Sequence, residues 1–207
     1  MSINDPATHG HNDAATDSAR RPRDVAELVE RMRLGVRTKF VFFWGHGPER
    51  DGSPGRGCLS QWWPAPFTAH DRVFATAEHY MMWRKARLFG DEEMTERILA
   101  AEHPHRAKTL GRKVRGFDQQ QWERERFAAV VAGNVAKFAQ HEEPRHFLRN
   151  TGDRVLVEAS PRDRVWGIGL AADEPAAGEP ERWPGLNLLG FALMEVRETL
   201  RDREQAD

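Results

Sequence analysis

The segment FATAEHYMMWRKARLF (74–89) constrains this chain more than any other: it reads as a buried helix that carries two charges on its buried side. Met81, Met82, Leu88 and Phe89 form the apolar stripe of a helix over 76–89. At 3.6 residues per turn Glu78 and Lys85 fall inside that stripe, seven residues and two turns apart. A buried charge on its own is costly, so each needs a partner or a water-filled cleft. Two readings fit. In one, both belong to a structural ion network or reach outward along their stems. In the other, this flank of the helix borders a polar substrate site. Tyr80 and Trp83 point to the opposite side, so the helix is expected to be covered on more than one face.

The rest of the pattern places this helix in an α+β fold, a mainly helical single domain with a small β-sheet. Residues 1–22 are small and polar and are expected to be a disordered tail; 23–207 form the domain. DVAELVERMR (24–33) is a short amphipathic helix with Asp24 as N-cap. KFVFFW (39–44) is a buried strand, RVLVEAS (154–160) alternates like one, and VWGIGL (165–170) is a further extended run. Helices are expected over 91–101, 103–114 and 117–140, the last with a stripe of Phe127, Val131, Asn134 and Phe138. Residues 187–200 form a closing helix, and 45–57 and 172–185 are loops rich in Gly and Pro. The alternation of strand and helix that marks a doubly wound sheet is missing.

Charge removes several functional classes. With 31 basic and 32 acidic residues the formal net charge is -1, which gives no general attraction to nucleic acid or anionic membrane. No run approaches the roughly 20 apolar residues that span a bilayer, and residues 1–20 lack the apolar core of a secretory signal. Cys58 is the only cysteine, so no disulfide can form within the chain. A cytoplasmic protein is expected. Neither HExxH nor paired CxxC occurs, so no metal site is specified, and there is no P-loop or GxGxxG.

Two further groups of residues carry chemistry. In EASPRDRVWGIGL (158–170), Asp163 and Trp166 sit three apart in a turn with Gly167 beside them. A carboxylate, an indole and backbone free of side chains suit a nucleobase or a sugar; packing of Trp against Gly is the plainer alternative. Trp122 lies off the Phe127–Phe138 stripe and either packs on another element or lines a cleft.

Taken in order, FVFFW, CLSQWWPAPF, FATAEHYMMWRKARLF, LGRKVRGFD, NVAKFAQ, LRNTGDRVLVEASPRDRVWGIGL and WPGLNLLGFALMEVRETL resemble the YbiA-like or NADAR family over about residues 40–201. The resemblance implies an N-glycosidase that cleaves ribose from a nucleobase-like ring. The ring is either a phosphoribosylamino-pyrimidine intermediate of riboflavin synthesis or guanine bearing ADP-ribose in nucleic acid. It also implies Glu78, Lys85 and Asp163 as catalytic residues and Trp122 and Trp166 as substrate-binding ones. Gly167 and Asn187, in the same motifs, are expected to complete the substrate-binding set. No cofactor is expected, and the partner is a small nucleotide-like substrate or a modified base, not a membrane. Gln61 stands where the family commonly has Asn. A non-catalytic ADP-ribose or nucleotide-binding module is the alternative; it would have no use for Glu78, since a carboxylate repels phosphate.

Overall fold

A computed structural model describes residues 21–206; the expected tail lies outside the described residues up to position 20. Seven α-helices, two two-stranded sheets and short 3₁₀ turns make up the described fold. Helix α1 (Val25–Arg33) starts where the Asp24 side chain accepts the N–H of Glu27, and it buries Leu28. The first described residues are docked: the Arg21 guanidinium donates to the Met194 carbonyl at 2.8 Å, and Pro22 is buried.

The central pair of strands is parallel. β1 (Phe40–Phe43) runs beside β4 (Val155–Glu158), in register from Phe40↔Val155 to Phe43↔Glu158. A parallel pair leaves its faces to be covered by other elements, and Val41, Phe43, Leu156 and Val157 are buried accordingly. A hairpin joins β2 (Phe67–Ala69) to β3 (Arg72–Phe74) through His70 and Asp71, at φ 50° and 57°. Two consecutive left-handed residues are the mark of the tight hairpin turn that matches strand twist.

Helix α2 (Ala77–Leu88) follows at once and is buried almost all round, from Ala77 to Trp83 and at Ala86. It packs against α3 (Glu92–Leu99), α4 (Pro104–Gly111) and the long α5 (Gln119–Gln140). The crossing with α5 is close: a Cβ on Gly133 would sit 2.5 Å from Cδ1 of Tyr80. Helix α7 (Leu188–Ala206) covers β4 and α5. There a Cβ on Gly190 would meet the Leu156 carbonyl oxygen at 2.1 Å.

Three local readings are corrected. Residues 165–170 are turns, not an extended run. The N–H groups of Val165 and Trp166 are taken by the Asp163 side chain and that of Ile168 by the Glu158 carbonyl, which breaks the ladder a strand would need. The face of α5 that enters the core carries Trp122, Ala129, Val130, Gly133, Asn134, Lys137 and Phe138. Phe127 and Val131 flank it, because small Gly133 rather than a large side chain marks the line of closest approach. Helix α6 (Glu142–Asn150) was not foreseen; it buries only Pro144 and Leu148, so its charged surface hides its period. None of the helices is long and apolar enough to cross a membrane among the described residues.

Candidate functional site

The site forms where the first turn of α2 meets the C-terminal end of β4. Glu78 lies in that first turn, where a carboxylate opposes the positive end of the helix dipole. Its N–H donates to the Gln61 carbonyl at 2.9 Å, which fixes the entry of the chain into the helix. The side chain is 2 % exposed, yet Oε1 has no hydrogen-bond partner. Burial pushes the carboxyl up to about 7. Lys108, hydrogen bonding from Trp62 and the Arg112 guanidinium oppose that rise, and the charge of Asp163 adds to it.

Glu158, the last residue of β4, supplies a second carboxyl. Its Oε2 is also buried and unpartnered, and burial, reinforced by Asp163 and Glu78, pushes it up to about 8. Lys108 again pulls the other way. With Glu78 ionised, the Glu158 carboxyl holds its proton more firmly. The pair therefore offers one group to give a proton and one to accept it.

Asp163 is held by its own turn. One side-chain oxygen accepts the N–H groups of Val165 at 2.9 Å and Trp166 at 2.8 Å. Trp166 is half-buried against the core. Gly167 has no room for a side chain, since a Cβ there would lie 2.8 Å from the Glu158 carbonyl oxygen. Asn187 is fully buried at φ 52°; its amide accepts the Glu158 N–H at 3.0 Å and donates to the Leu156 carbonyl at 2.9 Å. Both amide atoms are thus engaged with β4, one of them at the main chain of Glu158.

Lys85 lies two turns along α2 from Glu78, about 10 Å of helix rise. Its ammonium sits 3.9 Å from the ring centre of Phe117 and 5.9 Å from that of Trp122, itself 8 % exposed. Burial first, and Arg112 second, lower its proton affinity. Arg112 acts on both Glu78 and Lys85.

Glu158, Lys108, Arg112 and Trp62 are absent from the set expected on sequence. Glu158 could have been found, because on an alternating strand it shares a face with Leu156 and is a carboxylate on an inward side. Nothing local marks Lys108. Trp62 lies between two histidine rings, 5.7 Å from that of His46 and 6.2 Å from that of His105, with the Lys108 ammonium 6.0 Å from its own centre. No three His, Cys, Asp or Glu side chains gather to hold a metal ion among the described residues.

Comparison with known proteins bears on this arrangement. The family model described as the NADAR domain matches residues 42–201. An N-glycosidase of Acanthamoeba polyphaga mimivirus is 39% identical over 165 residues, covering 77% of this chain and 95% of that protein. A riboflavin biosynthesis protein of Vibrio vulnificus is 31% identical over 70% of this chain and 36% of its own length. The NMR structure of the E. coli protein YbiA is similar with a TM-score of 0.63 and 25% identity, across 83% of this chain and 90% of that one.

Proposed function

The chain belongs to the NADAR domain family, and on that premise we propose that it is an N-glycosidase acting on a phosphoribosylamino-pyrimidine of riboflavin synthesis. The observation that carries this reading is the pair of buried carboxyls with unpaired oxygens, Glu78 Oε1 and Glu158 Oε2, both under the charge of Lys108. N-glycosidase names among the relatives support the reaction class, and the Vibrio vulnificus relative supports the substrate. The buried, unpaired thiol of Cys58 fits a cytoplasmic setting.

Cleavage of a bond between ribose and nitrogen builds positive charge on the sugar and needs a proton for the departing amine. Glu158, the more firmly protonated of the pair, gives that proton. Glu78 takes one from water. Asp163, oriented by its turn, faces the developing cation or the ribose hydroxyls. Trp166 and Trp122 wall the ring, and Lys108 with Arg112 hold the phosphate. A proton passed to O4′ breaks the C1′–O4′ bond and opens the ring, and Lys85, with its proton affinity lowered among aromatic rings, then adds to C1′. The amine leaves and an imine forms on Nζ, which water then hydrolyses to free the sugar phosphate and restore the lysine.

Incubation with a phosphoribosylamino-pyrimidine, and separately with ADP-ribosylated guanine in single-stranded DNA, tests this directly. Release of ribose 5-phosphate from the first is the expected product by mass. Release of ADP-ribose from the second alone moves the substrate to the nucleic-acid class, and return of both intact leaves a binding module.

A further inference from the structure

A second charged cavity of about 270 Å³ opens at the other end of the β1–β4 pair. It is lined by Arg21, Arg31, Arg37, Lys39, Arg197 and Arg201, against two acids, Asp153 and Glu198. We propose that this cavity binds a compact phosphate-type oxyanion at a site separate from the glycosidase cleft.

The separation follows from strand direction. The Val155 N–H donates to the Lys39 carbonyl at 2.9 Å, so both mark the beginnings of their parallel strands. Glu158 marks the end of β4, about 10 Å further along at some 3.3 Å per residue. The cavity also draws on chain outside the family match: Arg21, Arg31, Arg37 and Lys39 all precede residue 42.

Two cations of the cavity are left over from its ion pairs among the described residues. Glu198 is engaged by Arg21, and Asp153 pairs with Arg201 at 3.9 Å. Arg37 and Lys39 make no ion pair among the described residues, and both are exposed. Arg197 is 4 % exposed and fixed, with one guanidinium nitrogen donating to Thr151 Oγ1 at 2.7 Å and to the Arg154 carbonyl at 3.0 Å. Burial, and then the nearby Arg201, pull it down to about 10, against the opposing charges of Asp153 and Glu198. A buried guanidinium crowded by its own kind is relieved by an anion, and a fork already held in place loses little freedom on binding one. The volume falls below the roughly 300–1,000 Å³ of pockets for drug-sized ligands. It suits one or two phosphate groups and not a whole dinucleotide.

The full chain, titrated with sodium pyrophosphate against sodium chloride at matched ionic strength, should show saturable heat and a rise in melting temperature with pyrophosphate only. The double variant R37A/K39A, altered at exposed positions, should bind roughly tenfold more weakly. K108A, altered where the glycosidase cleft holds its own phosphate, should keep the component of binding that R37A/K39A weakens. Inorganic phosphate and adenosine 5′-diphosphate as further arms separate a free oxyanion from the phosphate end of a nucleotide; saturation by either that weakens in R37A/K39A supports the site. Absence of saturation with all three, equal binding by R37A/K39A, or loss of binding in K108A alone would overturn it.

Discussion

Asn187 Oδ1 accepts the N–H of Glu158 at 3.0 Å, so the residue that opens α7 and the residue that ends β4 are held as one unit. The other amide atom of Asn187 closes on the Leu156 carbonyl. Asn187→Ala removes both bonds, strands two buried main-chain groups and places a Cβ residue without a local side-chain bond at φ 52°. A loss of about 3 kcal/mol or more is expected from those terms together, read as a lower urea midpoint at unchanged slope. Asn187→Gly relieves only the backbone and should recover part of that loss. A midpoint within error of the parent for both variants would deny the bracing role.

Glu78 and Glu158 are expected to divide the proton work. Glu78→Gln and Glu158→Gln should each keep the fold and lower kcat by about 10²–10⁴-fold. For the parent, the activity profile should be a bell with its top between about pH 7 and 8, since Glu78 must be ionised and Glu158 protonated. The acid limb should move or vanish in Glu78→Gln and the alkaline limb in Glu158→Gln. Near-parent turnover by Glu78→Gln would remove it from catalysis.

The same pair should lower stability as pH rises. Both carboxyls are raised in the folded protein above the ordinary 4.5, to about 7 and about 8. Their contribution is therefore fully present below pH 4.5 and is lost as pH climbs through 7 and 8. Glu78→Gln cannot ionise and should be the more stable protein at pH 8.5, by on the order of 2 kcal/mol. Melting curves at pH 5 and pH 8.5 check this; a difference between variant and parent that does not grow with pH contradicts it.

Lys85 gives a covalent test. Borohydride added during turnover should reduce the imine and leave a sugar phosphate on the peptide containing Lys85, visible by mass. Lys85→Arg keeps the cation beside Phe117 and Trp122 but should give no adduct and no turnover. Turnover by the parent without any trapped adduct would reduce Lys85 to a phosphate ligand.

What was legible in the sequence follows from how each group is marked. Glu78, Lys85 and Asp163 stand out because they break a period or sit in a turn beside an indole, and capping at Asp24 is written in local residues. Lys108 and Arg112 carry no such mark. They lie on an ordinary charged helix and enter the site only because α4 packs on α2, a contact that exists in the tertiary structure alone. Residues 165–170 were misread for a related reason: their apolar content resembles a strand, but the Asp163 side chain takes the N–H groups a strand would need. Asn187 has a structural role its position in the family motif did not announce: both its amide atoms bond to β4.

Lys137 lies on the same buried line of α5 as Asn134 and illustrates a charge that sequence position alone hides. It is fully buried, with Nζ donating to the carbonyls of Cys58 at 2.7 Å and Ser60 at 3.0 Å, the segment that leads into Gln61 and Trp62. Burial pulls it down from 10.5 to about 7. The unfolded chain therefore holds more protons between those values, and this residue's contribution to stability grows as pH rises from about 7 toward 10.5, opposite in sign to the carboxyl pair. Lys137→Met fills the space but leaves two carbonyls unsatisfied, at a cost of about 1–3 kcal/mol each. It should lower the denaturation midpoint, and the gap between parent and variant should widen from pH 6.5 to pH 9.5. Because those carbonyls fix the approach to Trp62, the variant should also raise KM more than it lowers kcat. A gap that stays constant with pH would show that Lys137 keeps its proton and acts as a plain buried cation.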